Sequence, residues 1–188
     1  MTTPPRPRRD PALDRRLAQA ACAGDAEAFG ELVAAYERPL YHFALRTLRD
    51  REEAADATQE AFVKAYRGLR TFRQELRFST WLFAITYHAC CDRLAKGRRF
   101  VLEEPPEIPD HRPGPEELAL RSDIQARAQQ AIARLPERYR TVVTLYYLHE
   151  CSYEEMAEIL SLPLGTVKTH LHRAKERLRR LLESEEPA

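Results

Sequence analysis

Glycine is nearly missing from this chain, 6 in 188 residues, and no stretch alternates apolar with polar side chains as a half-buried strand would. Hairpin-rich sheets are thereby excluded, and the abundance of Ala, Leu, Arg and Glu leaves an all-α fold. Long apolar runs are missing too. None approaches the roughly 18 residues that cross a bilayer, and the first residues hold no apolar signal core, so a cytoplasmic protein with no membrane insertion is expected. Cysteine is sparse: Cys22, Cys90, Cys91 and Cys151 form no CxxC, and pairs such as His149 with Cys151 are too thin for a ligand set. No metal and no cofactor are expected. A Gly-rich phosphate loop, HExxH and GxSxG are all absent, which argues against an enzyme.

Net charge is also small, 30 Lys and Arg against 29 Asp and Glu, which disfavours a generic polyanion binder. The charge is unevenly placed, however. Residues 163–182 carry six basic side chains and one acidic; residues 101–117 carry one basic and six acidic. A positive end therefore follows a negative middle.

The positive end organises the chain. Ser152 and Glu155 form a capping-box pattern ahead of Met156, Ile159 and Leu160, and Leu162-Pro163 ends that short helix while Pro163 opens the next. Val167, Leu171, Ala174, Leu178 and Leu181 then recur at spacings of four and three along one stripe. Thr166, Lys168 and Thr169 occupy the first turn away from that stripe, and His172, Arg173, Arg177 and Arg179 follow outward. A capped helix, a tight turn and a long basic helix with polar groups at its start make a DNA-reading helix-turn-helix. The first-turn residues suit base edges, and Arg177 and Arg179 suit phosphates.

Upstream, residues 1–10 are Pro- and Arg-rich and read as a disordered arm. Four helical segments between 11 and 99, with Asp25 and the Asp50–Glu53 pair as starts and Ser79 or Thr80 capping the last, suffice for one small core. Residues 100–115, with five prolines among acids, read as a flexible linker. A helix from Pro115 to Leu135 with Leu120, Ile124, Ala128 and Ala131 inward, and another from Pro136 with Val142, Val143, Leu145, Tyr146 and Leu148, complete a second domain over 116–183. The expected architecture is two small helical domains joined by an acidic, Pro-rich linker, the second a helix-turn-helix.

Two stretches resemble a known family. LPLGTVKTHLHRAKERLRRLL is similar to the −35-reading domain of bacterial RNA polymerase sigma factors of the extracytoplasmic-function (ECF) class, and DATQEAFVKAY to the sigma segment that docks on the clamp helices of the polymerase β′ subunit. The resemblance implies core RNA polymerase and promoter DNA as partners, with an anti-sigma factor as regulator. It assigns core docking to Asp56, Gln59, Glu60 and Phe62. It also assigns the opened −10 strand to the segment Thr71–Phe78 with Phe72 and Phe78, and to Tyr87, His88, Arg93, Lys96 and Arg98. Aromatics interleaved with cations are how proteins hold unpaired bases. Tyr87-His88 stands where the family has Arg-Asn, so an unusual −10 preference is expected. The rival reading is a stand-alone, dimeric helix-turn-helix regulator with a helical sensor domain, against which DATQEAF and the acidic linker argue.

Overall fold

The computed structural model describes residues 10–72, 77–97 and 127–183. The expected arm to residue 9, the linker over 100–115, Leu120, Ile124 and Arg98 lie outside them. Among the described residues there are helices and no strand.

The first three helices each start on an aspartate cap. Asp10 accepts from the Ala12 amide at 2.9 Å and Pro11 presets the first turn of α1 (Pro11–Cys22). Gly24 then takes φ of 104°, a left-handed backbone that a side chain would strain. Asp25 caps the Ala28 amide at 3.0 Å to begin α2 (Ala26–Leu48), which runs on through Pro39. Asp50 caps the Glu53 amide at 2.8 Å and opens α3 (Arg51–Gly68). The reciprocal half of the expected box is redirected, because Glu53 turns its carboxylate to Arg93 at 2.9 Å. After a single 3-10 turn (Leu69–Thr71), α4 (Phe78–Gly97) begins ahead of the expected Ser79 or Thr80 cap. Thr80 spends its hydroxyl elsewhere, on Glu155.

Among the described residues the second unit holds a helical stretch α5 (127–133) and α6 (Glu137–Val143), Ala131, Val142 and Val143 lying inward as expected. The next turn, Thr144–Leu148, is π-helical, closed by His149 N–H to the Thr144 carbonyl at 3.2 Å. The extra residue in that turn shifts the side-chain register. Leu145 stays buried, whereas Leu148, expected inside, is exposed beside Tyr147. In α7 (Tyr153–Leu160) both halves of the Ser152–Glu155 box are made, at 3.1 and 2.8 Å. Ser161 ends it in the left-handed conformation, and α8 (Leu164–Glu183) follows.

The two units do not keep separate cores. One apolar cluster runs from Ala18, Leu32, Phe43 and Leu82 through Val142, Met156 and Ile159 to Leu171. Where α2, α4 and the second unit meet, Phe83 faces Phe43 at 5.4 Å and His149 at 4.6 Å between ring centres. Units this small cover little of their own apolar area, and each closes over the other's remainder. Arg140, buried on α6, ties the same seam with charge-assisted bonds to the carbonyls of Leu135 (3.0 Å), Ala133 (3.3 Å) and, across on α2, Thr47 (3.5 Å). Burial brings its guanidinium down to about 10.

Candidate nucleic-acid and docking surfaces

Helix α8 buries Val167, Leu171 and Ala174 and half-buries Leu178 and Leu181, the stripe its spacing dictates. Burying each of the larger ones stabilises the second unit by about 1.5–3 kcal/mol. The opposite face is thereby turned to solvent with Lys168, Thr169, His172, Arg173, Arg177 and Arg179 all exposed, and Thr166 partly so. Several cations are steadied from beneath. Lys168 lies 5.8 Å from the Tyr153 ring centre, Lys175 lies 4.8 Å from Tyr146, and Arg177 lies 5.2 Å from Tyr139, whose hydroxyl also bonds Arg173. Thr169 bonds back to the Gly165 carbonyl at 2.8 Å, His172 lies 3.8 Å from Glu176, and Arg179 pairs with Glu183 at 2.7 Å. Exposed pairs of this kind are weak and yield readily to a phosphate. His170, not anticipated as a site residue, turns inward against Tyr139 at 5.8 Å; burial, then Arg138 and Arg173, lower its pKa and favour the neutral ring.

On α3 the expected docking residues divide. Asp56 and Gln59 are exposed. Glu60 is not the free carboxylate that was expected: Lys64 pairs with it at 2.6 Å and Arg93 of α4 bonds its other oxygen. Lys64 first and Arg93 second hold its pKa down to about 2. Phe62 points into the core, edge-on to Phe29 at 6.5 Å, so its ring is not available to a partner. Two other apolar residues of α3 face solvent instead. Val63 and Tyr66 are 49% and 51% exposed, and the run 56, 59, 63, 66 is one helical stripe. The signal was available, since Ala54, Ala61, Phe62 and Ala65 already fill the buried side and leave Val63 and Tyr66 out of phase with it.

The −10 set is only partly assembled. Phe78 is buried, packed against Phe72 at 5.6 Å and Trp81 at 5.7 Å, and so offers no face to a base. Phe72 is half-buried, 5.0 Å from Trp81. Arg93, expected on phosphates, is engaged by Glu53 and Glu60 and braces α4 against α3. Tyr87 is half-buried and bonds Cys91, its phenol pushed up mainly by burial. His88 and Lys96 are exposed, and His88 Nε2 lies 3.4 Å from Ser161 Oγ in the turn before α8. Among the described residues no group of His, Cys, Asp and Glu could hold a metal, and no helix is long and apolar enough to cross a membrane.

Comparison with known proteins agrees with this layout. The family models for sigma-70 region 2 and sigma-70 region 4 match residues 32–100 and 125–178. The ECF RNA polymerase sigma factor SigW of Bacillus subtilis is 36% identical over 170 residues, spanning 85% of this chain and 91% of the relative. The RNA polymerase sigma-H factor of Pseudomonas aeruginosa is 37% identical over 181 residues, spanning 90% and 94%. Among solved structures, CnrH in complex with the cytosolic domain of CnrY superposes with a TM-score of 0.69 at 28% identity, over 93% of this chain and 99% of that one. The sigma factor RpoE, in complex with the anti-sigma factor NepR from Bartonella quintana, shares the fold at 22% identity, with a TM-score of 0.71 over 86% of this chain and 100% of that one. The chain belongs to the ECF class of RNA polymerase sigma factors and is a promoter-recognising factor of transcription initiation. A stand-alone regulator would have no use for the region 2 match.

Proposed function

We propose that this chain joins core RNA polymerase through the α3 stripe and divides promoter reading between its units. In this reading α8 enters the major groove of the −35 element, and α4 with the segment before it holds the opened −10 strand. Phosphodiester chemistry belongs to the core enzyme, and the chain works in the cytoplasm as a non-catalytic subunit. The observation that carries the reading is the exposed apolar pair Val63 and Tyr66, aligned with Asp56 and Gln59 on a helix other than the cationic α8. A DNA-binding module alone does not need a second amphipathic contact surface, whereas a subunit that must seat on a larger machine does. Both solved relatives named above hold a partner protein, the cytosolic domain of CnrY in one and the anti-sigma factor NepR in the other, which supports a protein regulator here. The test is reconstitution: the chain should co-purify with core polymerase and start transcription from a promoter selected out of a random pool. A chain that bound −35 DNA but never joined core would overturn the reading.

A further inference from the structure

Tyr139, in the first turn of α6, is only 2% exposed, yet cations surround its ring. The guanidinium of Arg138 lies 4.9 Å from the ring centre, and that of Arg177 on α8 lies at 5.2 Å. Arg173, one turn before Arg177, reaches the phenol oxygen, as Arg138 also does. Burial by itself would raise the pKa of the phenol, but these two guanidinia outweigh it and lower it. His170, neutral and edge-on to the same ring, adds no fourth charge.

None of the three arginines has an acidic counterpart. Glu176 follows Arg173 by one turn, yet it is set against His172 instead. Among the described residues no carboxylate forms an ion pair with Arg138, Arg173 or Arg177, in contrast with Arg93 and Arg179. Like charges gathered in this way repel one another, and a ring face offsets only part of that. All three side chains are exposed, so an anion from outside the chain can reach them together.

Their place on the fold says which anion. His170, Arg173 and Arg177 are spaced by three and four, a stripe of α8 beside the outward Thr169 and His172. A helix with its side chains is about 10–12 Å across and the major groove about 12 Å wide, so a helix lying in the groove turns its flanks to the phosphate walls. Helix α6 packs along this flank, and Arg138 extends the cationic surface from one helix to two.

We propose that Arg138, Arg173 and Arg177 form a clamp for the sugar-phosphate backbone along one edge of the −35 groove, with Tyr139 the residue that positions them. The clamp rests on the proposed entry of α8 into that groove. It adds a contact from α6, outside the helix-turn-helix, and gives Arg173 and Arg177 a shared target on one strand. Even where one N–H turns to the phenol, the rest of each guanidinium fork remains for phosphate oxygens.

Arg138 is the residue to change, because it lies off α8 and is exposed. The probes are fluorescein-labelled duplexes of about 30 base pairs that differ in the −35 sequence, titrated with the full-length chain by anisotropy at about 50 to 200 mM salt. Arg138→Ala should weaken every duplex alike, about three- to tenfold at the lower salt, and reduce the salt slope by roughly one. Arg138→Lys should restore the slope. Tyr139→Phe keeps every charge, and should lower affinity while the slope stays near wild type. All three variants should retain wild-type helicity and melting temperature by circular dichroism. An unchanged slope in Arg138→Ala would overturn the clamp, and is the result expected if an acidic protein surface, not DNA, covers this patch. So would a loss confined to one −35 sequence, or an equal loss in Arg16→Ala on α1, which would trace the effect to net charge. Full affinity in Tyr139→Phe would overturn the positioning role. Failure of the underlying reading looks different, since the wild-type chain would then bind no duplex at all.

Discussion

Arg93 of α4 reaches across to Glu60 of α3, and the same guanidinium lies 2.9 Å from Glu53 two turns earlier. One cation thus joins two helices in a seam that the sequence motif alone would place on the partner's side. With Lys64 first and Arg93 second beside it, Glu60 is ionised far below the ordinary carboxylate range, its pKa lowered from 4.5 to about 2. A group depressed on folding contributes stability above its unfolded pKa and loses it as pH falls toward the folded one. Urea midpoints should therefore drop faster in wild type than in Glu60→Gln between pH 4.5 and about 2, and the two should run parallel above that window. Parallel curves throughout would remove Glu60 from the seam.

Reversing both Asp56 and Glu60 would damage α3 against α4 as well as any docking face. Tyr66→Ala and Asp56→Lys are the cleaner changes, because both side chains are exposed. Each should leave thermal stability nearly unaltered while weakening co-purification with core polymerase tenfold or more. Phe62→Ala should do the reverse in origin: the buried ring leaves a cavity, at a cost of about 3–5 kcal/mol in equilibrium unfolding.

On α8 the two kinds of DNA contact should separate. Arg179→Ala should weaken binding evenly across sequences and reduce the salt slope by roughly one. Lys168→Ala should cost about 1–3 kcal/mol at one −35 base pair and little elsewhere. A library of −35 variants titrated at two salt concentrations distinguishes them; identical profiles would end the division.

The thiols should differ as sharply. Cys90 is fully buried and its pKa is pushed up to about 12, chiefly by burial, so thiolate is scarce at neutral pH. Cys22 is exposed. A thiol reagent added to native protein should modify Cys22 and spare Cys90 until denaturant is present. Rapid native labelling of Cys90 would contradict the packing of α4.

Much of this molecule was legible from residue spacing. The α8 stripe, the α7 capping box, the aspartate caps of α2 and α3 and the exposed polar start of α8 all follow from local rules, because each involves residues within a turn or two of one another. What stayed hidden was long-range. Glu60 looks free until α4 brings Arg93 beside it, and Phe78 looks like a site residue until tertiary packing buries it. Thr80 looks like a cap until Glu155 arrives from 75 positions away. The π-helical turn at Thr144–Leu148 escaped for another reason, since one inserted residue shifts Tyr147 and Leu148 outward without altering composition.

Glu155 puts one carboxylate oxygen on the Ser152 amide and the other on Thr80 and Arg77, and that division leaves a mark that can be read without a structure. Helix capping accepts glutamate or glutamine at that position, but glutamine has one acceptor oxygen where glutamate has two, so it can serve the Ser152 amide or the Arg77 and Thr80 side of the seam and not both. In related chains the choice between them therefore becomes informative: glutamate marks a seam held from both sides, and glutamine one held from a single side.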